Sequence, residues 1–398
     1  MTIPRKILVV DDDEDIGEFI FATAASMGYD CGVASCAADF LNLLTRDTGL
    51  VLLDLVMPNT DGIELLRLLA DRRTEASVIL MSGIERRVIE SAERMARSLG
   101  LDVVGHLQKP FRVAELEALL RTQHARLESR SPHAAVEEPF SPAELQGAVE
   151  RCEFVLHYQP QVSLASNCVV AVEALARWAH PTRGMIFPDR FISHLEMLQL
   201  IDQLGWIGIE RGLADLGRFR DAGGAIPRLS LNISAQSLHD LSLPDRIVSA
   251  ADRHCIPAQK VTIEITESGL VQDLSEALDV LTRLRMKQIQ LSIDDFGTGY
   301  SMMQQLQLVP ATELKIDKSF VQGMHGNASY RVIVQKTIEI GHELGMQVVA
   351  EGVETSEQAE DLRSCGCDIA QGYLYCRPLP PEKLVSWLAE FRAQHSCV

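Results

Sequence analysis

The amino-acid sequence predicts an α/β protein built in two parts, a doubly wound five-stranded parallel sheet followed by a (β/α)8 barrel. Three observations lead to this fold class. Short apolar runs alternate with amphipathic stretches along most of the chain, which is typical of βα units. A segment rich in proline and serine interrupts the alternation at residues 128–142. Five apolar runs precede this segment and eight follow it, and 398 residues suffice for two or three domains at roughly 100–200 residues each.

The first part contains five short apolar runs, each followed by an amphipathic stretch. The predicted strands are 7–10, 31–34, 50–53, 78–81 and 103–107. The predicted helices are 16–27, 37–45, 63–70, 88–99 and 113–127. Five βα units of this size favour a doubly wound parallel sheet over residues 5–125.

The segment between the two parts has a different composition. Residues 128–142 hold three prolines and three serines and show no apolar periodicity. Such a composition is typical of an interdomain linker, which we place at 126–142.

The second part, 143–396, alternates on a larger scale. Its predicted strands are 154–158, 169–175, 229–233, 261–265, 289–293, 313–316, 347–350 and 369–374. Eight strands in about 250 residues, most of them separated by helical stretches, match the size of a (β/α)8 barrel.

Composition excludes several classes of function. The 37 Lys and Arg against 55 Asp and Glu give a net charge of −18, which disfavours DNA binding and anionic membranes. No apolar stretch approaches the ~18 residues of a membrane helix, so we expect no membrane insertion. The nine cysteines include no CxxC pair, which favours reduced thiols and a cytoplasmic protein.

Polar residues follow the strands of the first part. Asp11 and Asp12 come after the first strand, Asp54 after the third, Ser82 after the fourth and Lys109 after the fifth. The carboxyl ends of the strands meet at one edge, so these side chains should converge. Carboxylates suit Mg²⁺, and a carboxylate near a metal can accept a phosphoryl group. The alternative is that each polar residue only ends its strand.

The motifs around these residues resemble the receiver domains of two-component response regulators over about 5–122. They are VVDDD at 9–13, LDLVMPNTDG at 53–62 and KPF at 109–111. The resemblance implies that Asp54 is phosphorylated and that one Mg²⁺ is held by Asp11, Asp12 and Asp54. It implies that Ser82 and Lys109 are switch residues and that Lys109-Pro110 is a cis peptide. The phosphodonor would be a sensor histidine kinase or a histidine phosphotransfer protein. His106 stands where the family often has an aromatic residue.

Single polar residues interrupt the strands of the second part. They are Glu173, Asn232, Glu264, Asp294, Asp295, Lys315, Asp317, Glu351 and Gln371. Burying one unpaired charge costs several kcal/mol, so this set should share a purpose. In a barrel such residues meet at the mouth formed by the carboxyl ends of the strands. A ring of carboxylates suits divalent cations, and adjacent Asp residues suit two metals about 3.5–4 Å apart.

Taken singly, several of these residues have ordinary explanations. Lys315 alone is typical of a lysine at a strand end, and Glu264 with Glu267 is also compatible with a helix start. His157 and His180 are more typical of packing or surface histidines than of metal ligands. The prediction of a site therefore depends on the combination.

The combination resembles the EAL family, metal-dependent phosphodiesterases for cyclic di-GMP, over about 143–392. The motifs are LHYQP at 156–160, EAL at 173–175, RWAHP at 177–181, LNIS at 231–234, EITE at 264–267, DDFGTGYS at 294–301, LKID at 314–317, VAEGVE at 349–354 and AQGY at 370–373. The family fold is a TIM-like barrel with one antiparallel strand. Met302 stands where the family usually has a second serine.

The resemblance also implies a role for each site residue. The first metal, Mg²⁺ or Mn²⁺, would be held by Glu173, Asn232, Glu264 and Asp294. The second would be held by Asp294, Asp295 and Glu351. Glu351 would be the general base, Lys315 would steady the attacking water, and Gln371 would orient its neighbours. The substrate-binding residues would be Gln159, Leu175, Arg177, Asp317 and Glu354. Glu267 would anchor the loop 295–303.

Two functions follow as hypotheses. The first is a phosphorylation-regulated enzyme that hydrolyses cyclic di-GMP to linear pGpG, acts as a homo-oligomer and serves biofilm or motility signalling. The second is a catalytically silent receptor for cyclic di-GMP. The presence of every expected metal ligand favours the enzyme.

Overall fold

The computed structural model describes residues 6–45, 47–58, 61–72, 74, 76–129, 140–221, 228–271, 274–297, 306–325 and 327–395. The chain divides into two compact units, Met1–Glu138 and Pro139–Val398. The helix that closes the first unit reaches Ser129, and the first helix of the second begins at Pro142. Most of the predicted linker, 130–139, lies outside the described residues.

The first unit is built on a five-stranded sheet in the order β2-β1-β3-β4-β5, and all of its pairings are parallel. The strands are β1 Lys6–Val10, β2 Asp30–Ala34, β3 Thr48–Asp54, β4 Ser77–Ser82 and β5 Val103–Gln108. The prediction of a doubly wound sheet is confirmed, and each predicted strand matches an observed one within two residues.

Five helices alternate with these strands. They are α1 Glu14–Ser26, α2 Ala37–Leu43, α3 Gly62–Asp71, α4 Arg86–Ser98 and α5 Val113–Ser129. Alternate residues of β1 pack into different apolar layers, since Ile7 and Val9 join one core and Leu8 and Val10 the other. A strand covered on both faces explains why the sequence shows continuous apolar runs here.

The second unit is a closed barrel of eight strands in the order β6-β14-β13-β12-β11-β10-β9-β7, and the pairing of β6 with β7 closes the ring. The eight barrel strands are β6 Phe154–Ser163, β7 Val169–His180, β9 Arg228–Asn232, β10 Val261–Thr266, β11 Gln290–Phe296, β12 Glu313–Ile316, β13 Gln347–Ala350 and β14 Ile369–Gln371, and a ninth strand, β8 Gly184–Ile186, pairs with β7 outside the ring. Strand β6 runs antiparallel to both of its neighbours, and the other barrel pairings are parallel. The predicted eight-stranded barrel is confirmed.

Several strand predictions differ from the structure, since β6, β7 and β11 continue to Ser163, His180 and Phe296, beyond their predicted ends at 158, 175 and 293. The short β8 was not predicted; it pairs with the end of β7 through a turn in which Gly184 has a φ of +76°. The predicted last strand, 369–374, ends at Gln371, because the chain turns at Gly372. A Cβ on Gly372 would lie 2.0 Å from the carbonyl oxygen of Val353, so only glycine permits this approach.

The helices of the second unit surround the barrel. They are α6 Pro142–Glu150, α7 Ile192–Met197, α8 Ile201–Asp221, α9 Leu243–Arg253, α10 Glu267–Val271, α11 Leu274–Met286, α12 Lys318–Gly323, α13 Ala328–Glu343, α14 Ser356–Ser364 and α15 Pro381–His395. In β10, Ile263 and Ile265 belong to an apolar cluster that includes residues of the surrounding helices. Glu264, between them, points to the barrel interior, as the two-residue period of a strand requires.

Two other expectations were tested by the structure. Among the described residues, no helix combines the length and apolar composition that a bilayer crossing needs. Of the cysteines in the described part of the chain, seven are free, but Cys168 forms a disulfide. The prediction that all nine thiols are reduced is therefore wrong at that position.

Candidate active site and phosphoacceptor site

In the first unit, one lysine joins two carboxylates at the carboxyl edge of the sheet. Lys109 Nζ lies 2.6 Å from Asp54 Oδ2 and 2.7 Å from Asp11 Oδ2. Asp11 follows β1, Asp54 ends β3 and Lys109 follows β5, so parallel strand order brings them together. A Cβ on Gly62 would lie 2.5 Å from the Asp54 carbonyl oxygen, so glycine lets α3 begin against this site.

The donor set at this edge fits a hard divalent cation. Asp11, Asp12 and Asp54 offer carboxylate oxygens that lie within 4.8 Å of one another. Asp12 is exposed, so the cluster opens to solvent. Burial raises the pKa of Asp11 despite its contact with Lys109. Burial opposes the charge on Lys109 too, but hydrogen bonds to Asp11 and Asp54 raise its pKa. The arrangement can hold Mg²⁺ beside a carboxylate able to take a phosphoryl group.

The two predicted switch positions lie on the neighbouring strands. Ser82 is buried at the end of β4, and its Oγ accepts a hydrogen bond from the Ile84 N–H at 3.1 Å. The Lys109-Pro110 peptide is cis. On β5, His106 Nδ1 lies 3.2 Å from Glu93 Oε2 of α4. The hydrogen bond with His106 lowers the pKa of Glu93 to about 2.

In the barrel, a single lysine faces four carboxylates. Lys315 Nζ lies 2.6 Å from Glu351, 2.8 Å from Glu264, 3.1 Å from Asp294 and 3.4 Å from Glu173. The side chain of Lys315 has no exposed surface. The carboxylates come from β7, β10, β11 and the residue after β13, which meet only because the barrel closes.

One ammonium group cannot neutralise four carboxylates, and the pKa values reflect the imbalance. Burial raises the pKa of Glu351 to about 8 and that of Glu264 well above its usual value. Burial and the nearby Asp294 raise the pKa of Asp295 to about 6. Glu173 is the exception: burial opposes its charge, but Lys315 and hydrogen bonds lower its pKa. The site therefore has a high demand for positive charge.

Two groups of carboxylates fit metal ions. Glu173, Glu264 and Asp294 form one group, and Asp294, Asp295 and Glu351 form the other, each with oxygens within 4.8 Å of one another. Among the described residues, Glu264 Oε1 has no hydrogen-bond donor although it is buried. A buried carboxylate oxygen without a donor, next to two others, is a suitable ligand for a hard cation. Asp294 belongs to both groups and would bridge two metals.

Amide side chains hold Glu173 in place. Asn232 Nδ2 donates to Glu173 Oε1 at 3.0 Å, and Gln371 Nε2 donates to Glu173 Oε2 at 2.6 Å. Gln371 Nε2 also donates to Gln159 Oε1 at 3.1 Å. The sequence analysis missed Gln161, whose Nε2 donates to Gln371 Oε1 at 2.9 Å. The two-residue spacing of Gln159 and Gln161 on one strand was the available signal.

The end of β11, where the predicted loop 295–303 begins, has a strained conformation. Asp295 has a φ of +56°, in the left-handed region that non-glycine residues rarely adopt. A Glu267 carboxylate oxygen accepts a hydrogen bond from the Gly297 N–H at 2.8 Å. The rest of the predicted loop, including Ser301 and Met302, lies outside the described residues.

The remaining predicted residues lie around this centre. Arg177, on β7, is buried, and its guanidinium carbon lies 5.1 Å from the centroid of the exposed Phe187 ring. Leu175, two residues earlier, is half-buried. Asp317 caps α12 by accepting from the Ser319 N–H at 3.0 Å. Glu354 is exposed and accepts a hydrogen bond from Gln322 Nε2 at 3.1 Å.

Two family models match the chain. The response regulator receiver domain matches residues 7–121, and the EAL domain matches residues 143–378. The ranges correspond to the two units, and the second covers more than half of the chain.

Curated relatives include proteins with both matches and proteins with the barrel match. Cyclic di-GMP phosphodiesterase RocR of Pseudomonas aeruginosa is 34% identical over 334 residues, which are 84% of this chain and 85% of RocR. The bifunctional diguanylate cyclase/cyclic di-GMP phosphodiesterase MucR of the same organism is 37% identical over 246 residues. These are 62% of this chain but 36% of MucR.

Solved structures are also similar to this chain. A structure titled PaMucR phosphodiesterase in complex with c-di-GMP is 37% identical, with a TM-score of 0.58. The similarity covers 61% of this chain and 98% of the PaMucR chain. The EAL domain of DcpA from Mycobacterium smegmatis is 33% identical with a TM-score of 0.52, covering 60% and 98%. With its carboxylate ring, its receiver site and these matches, the chain belongs to the EAL domain family and carries a response regulator receiver domain before the barrel.

Proposed function

We propose that this protein hydrolyses cyclic di-GMP to linear pGpG with two divalent cations, Mg²⁺ or Mn²⁺, and that phosphorylation of Asp54 regulates the rate. The observation that carries the proposal is the pair of carboxylate groups that share Asp294 around a buried lysine. The names of RocR and MucR, both described as cyclic di-GMP phosphodiesterases, support the substrate.

In this proposal, one set of residues binds the cations and another acts on the reacting atoms. Glu173, Asn232, Glu264 and Asp294 would hold one cation, and Asp294, Asp295 and Glu351 the other. Bound cations lower the pKa of water and stabilise charge on the phosphate.

Two groups stand beside the reacting atoms. Glu351 would accept the proton of the attacking water, because its carboxylate belongs to the second metal group, beside which the water would bind. Lys315 would offset the charge that develops on the phosphate. Arg177, with Phe187 against its guanidinium, would bind the ligand together with Gln159 and Leu175.

The receiver would supply regulation. Asp54 would take the phosphoryl group from a sensor histidine kinase or a histidine phosphotransfer protein, while Lys109 balances its charge. A phosphoryl group adds about −1.5 to −2 charges, and Ser82 and Lys109 are placed to respond to it. A cytoplasmic homo-oligomer is the expected working form.

One experiment tests the catalytic part. Purified full-length protein is incubated with cyclic di-GMP and Mg²⁺ or Mn²⁺, and the products are separated by chromatography. We expect pGpG, its loss in EDTA, and weak recovery with Ca²⁺, whose coordination is looser than that of Mg²⁺. Binding of cyclic di-GMP without any pGpG would instead identify a silent receptor.

A second experiment tests regulation. Turnover is measured with and without acetyl phosphate for the full-length protein and for the barrel alone, residues 141–398, at several metal concentrations. We expect a change only in the full-length protein, with activation slightly favoured over inhibition. Identical kinetics with and without phosphodonor would contradict the coupling.

A further inference from the structure

Gln161 is a buried polar residue in the barrel to which the proposed function assigns no role. It lies on β6 directly opposite Gln371 of the antiparallel β14, so both side chains point to the barrel interior. Gln161 is fully buried, with no exposed surface. Buried side-chain amides are usually hydrogen-bonded, and Gln161 follows this rule through its Nε2.

Gln161 begins a directed series of hydrogen bonds. Its Nε2 donates to Gln371 Oε1 at 2.9 Å, and Gln371 Nε2 donates to Glu173 Oε2 at 2.6 Å and to Gln159 Oε1 at 3.1 Å. Gln159 Nε2 in turn donates to the carbonyl oxygen of Cys376 at 3.1 Å.

The acceptors at the ends of this series determine which atom of each amide donates. A carbonyl oxygen and an ionised carboxylate only accept hydrogen bonds, so Gln159 and Gln371 must both present their NH₂ groups to them. Gln371 Oε1 is then left facing β6, where only a donor is compatible with it. Gln161 supplies that donor.

This arrangement leaves one buried polar atom of Gln161 unpaired. Gln161 Oε1 is buried and has no hydrogen-bond partner among the described residues. A glutamine turned the other way would satisfy neither amide, because two oxygens would then face each other. An unpaired buried oxygen on a residue that serves a neighbour indicates that the donor is what matters.

We propose that Gln161 is a positioning residue for the first metal site. It holds the Gln371 amide with Nε2 toward Glu173, which fixes Glu173 Oε2 and leaves that carboxylate oriented for a cation. Without this donor, the Gln371 amide turns its oxygen toward Glu173 in part of the molecules, and the carboxylate moves away from it. This inference rests on the proposed metal-dependent function.

The test replaces Gln161 by methionine, which has a similar length and shape but no donor. Mn²⁺ binding is measured by electron paramagnetic resonance without substrate, in a background of Asp11→Asn and Asp54→Asn that disables the receiver site. We expect about tenfold weaker Mn²⁺ binding at the barrel. In the hydrolysis assay, more Mn²⁺ should be needed for half-maximal rate, and the KM for cyclic di-GMP should be nearly unchanged.

The matched control is Tyr158→Phe on the same strand. Tyr158 points outward, and its hydroxyl donates to Asp215 Oδ2 at 2.7 Å, so the variant also removes a buried hydrogen bond. It should lower the Tm and leave Mn²⁺ affinity unchanged. Gln161→Met should weaken Mn²⁺ binding and leave the Tm nearly unchanged, because the unpaired Oε1 is removed together with the hydrogen bond to Gln371.

A double-mutant cycle with Gln371→Met separates positioning from general packing. If Gln161 acts through Gln371, the double variant should bind Mn²⁺ no more weakly than Gln371→Met alone. Unchanged Mn²⁺ affinity in Gln161→Met, or fully additive losses, would overturn the inference. If Gln161→Met does not fold, Gln161→Leu takes its place with the same outcomes. Failure of the parent protein to bind Mn²⁺ would instead contradict the proposed function.

Discussion

The two acidic sites of this protein use the same residue types with different numbers of carboxylates around one lysine. In the receiver, Lys109 is 14% exposed and pairs with two carboxylates beside the exposed Asp12. In the barrel, Lys315 is completely enclosed and contacts four. The ratio of carboxylates to lysine, rather than the residue types, distinguishes the two sites.

The receiver site has the properties of a group-transfer site. Solvent reaches it at Asp12, and Asp54 beside it would take the phosphoryl group. The barrel site has the properties of a dedicated metal centre, because its excess of buried negative charge is stable only with protons or cations bound.

The largest expected effect is on turnover in the barrel. Glu351→Ala and Glu173→Ala should each lower turnover roughly a thousandfold, which corresponds to about 4 kcal/mol of lost transition-state stabilisation. The fold should survive, since residues at the barrel mouth serve the reaction more than the packing. Chromatographic assay of pGpG measures the loss, and circular dichroism checks the fold. Near-normal turnover in Glu351→Ala would contradict the assignment.

In the receiver, the expected loss is of phosphorylation rather than of hydrolysis. Asp54→Asn should abolish labelling by acetyl phosphate, while Asp11→Asn and Asp12→Asn should weaken it by weakening Mg²⁺ binding. Basal hydrolysis by the barrel should continue in Asp54→Asn. Labelling is followed by intact mass or radioactive phosphate. Normal stoichiometry in Asp54→Asn would place the phosphoacceptor elsewhere.

Replacing the lysine of each site should lower the thermal stability of the protein by different amounts. Lys315→Met leaves three buried carboxylates and the half-buried Glu351 without their cation, and breaking a buried pair costs about 3–5 kcal/mol. Thermal unfolding in EDTA should show a lower Tm that Mn²⁺ partly restores. Lys109→Met is the matched control and should lower the Tm less, because it leaves two carboxylates without a partner rather than four. Equal losses at the two sites would contradict the role given to the ratio of charges.

The smallest expected effect is a proton release when metal binds to the barrel. Without metal, Glu351 has a pKa of about 8, so at pH 7 most molecules carry its proton. A metal requires the ionised form, so binding should release up to one proton from this residue, and affinity should rise with pH until about 8. Calorimetry in buffers of different ionisation enthalpy measures the release. Glu351→Gln should reduce it by that amount.

Much of the fold was predictable because the local patterns and the packing agree. The five receiver strands are continuous apolar runs because both faces are covered. The barrel strands were recognisable because single polar residues such as Glu264 interrupt apolar neighbours that pack outward. The short β8 was missed because three residues carry too little periodicity, and its pairing with β7 is a tertiary contact.

The sequence by itself determined the two fold types, the strands that carry polar residues, and which carboxylates, amides and lysines are candidates for the two sites. The contact of Lys315 with four carboxylates, the capping of α12 by Asp317 and the link from Gln161 through Gln371 to Glu173 were decided only by the tertiary structure. The physical reason is that strand period tells which side of a strand a residue faces. Closure and register of the barrel, which depend on contacts between residues as distant as Gln161 and Gln371, decide which side chains meet there.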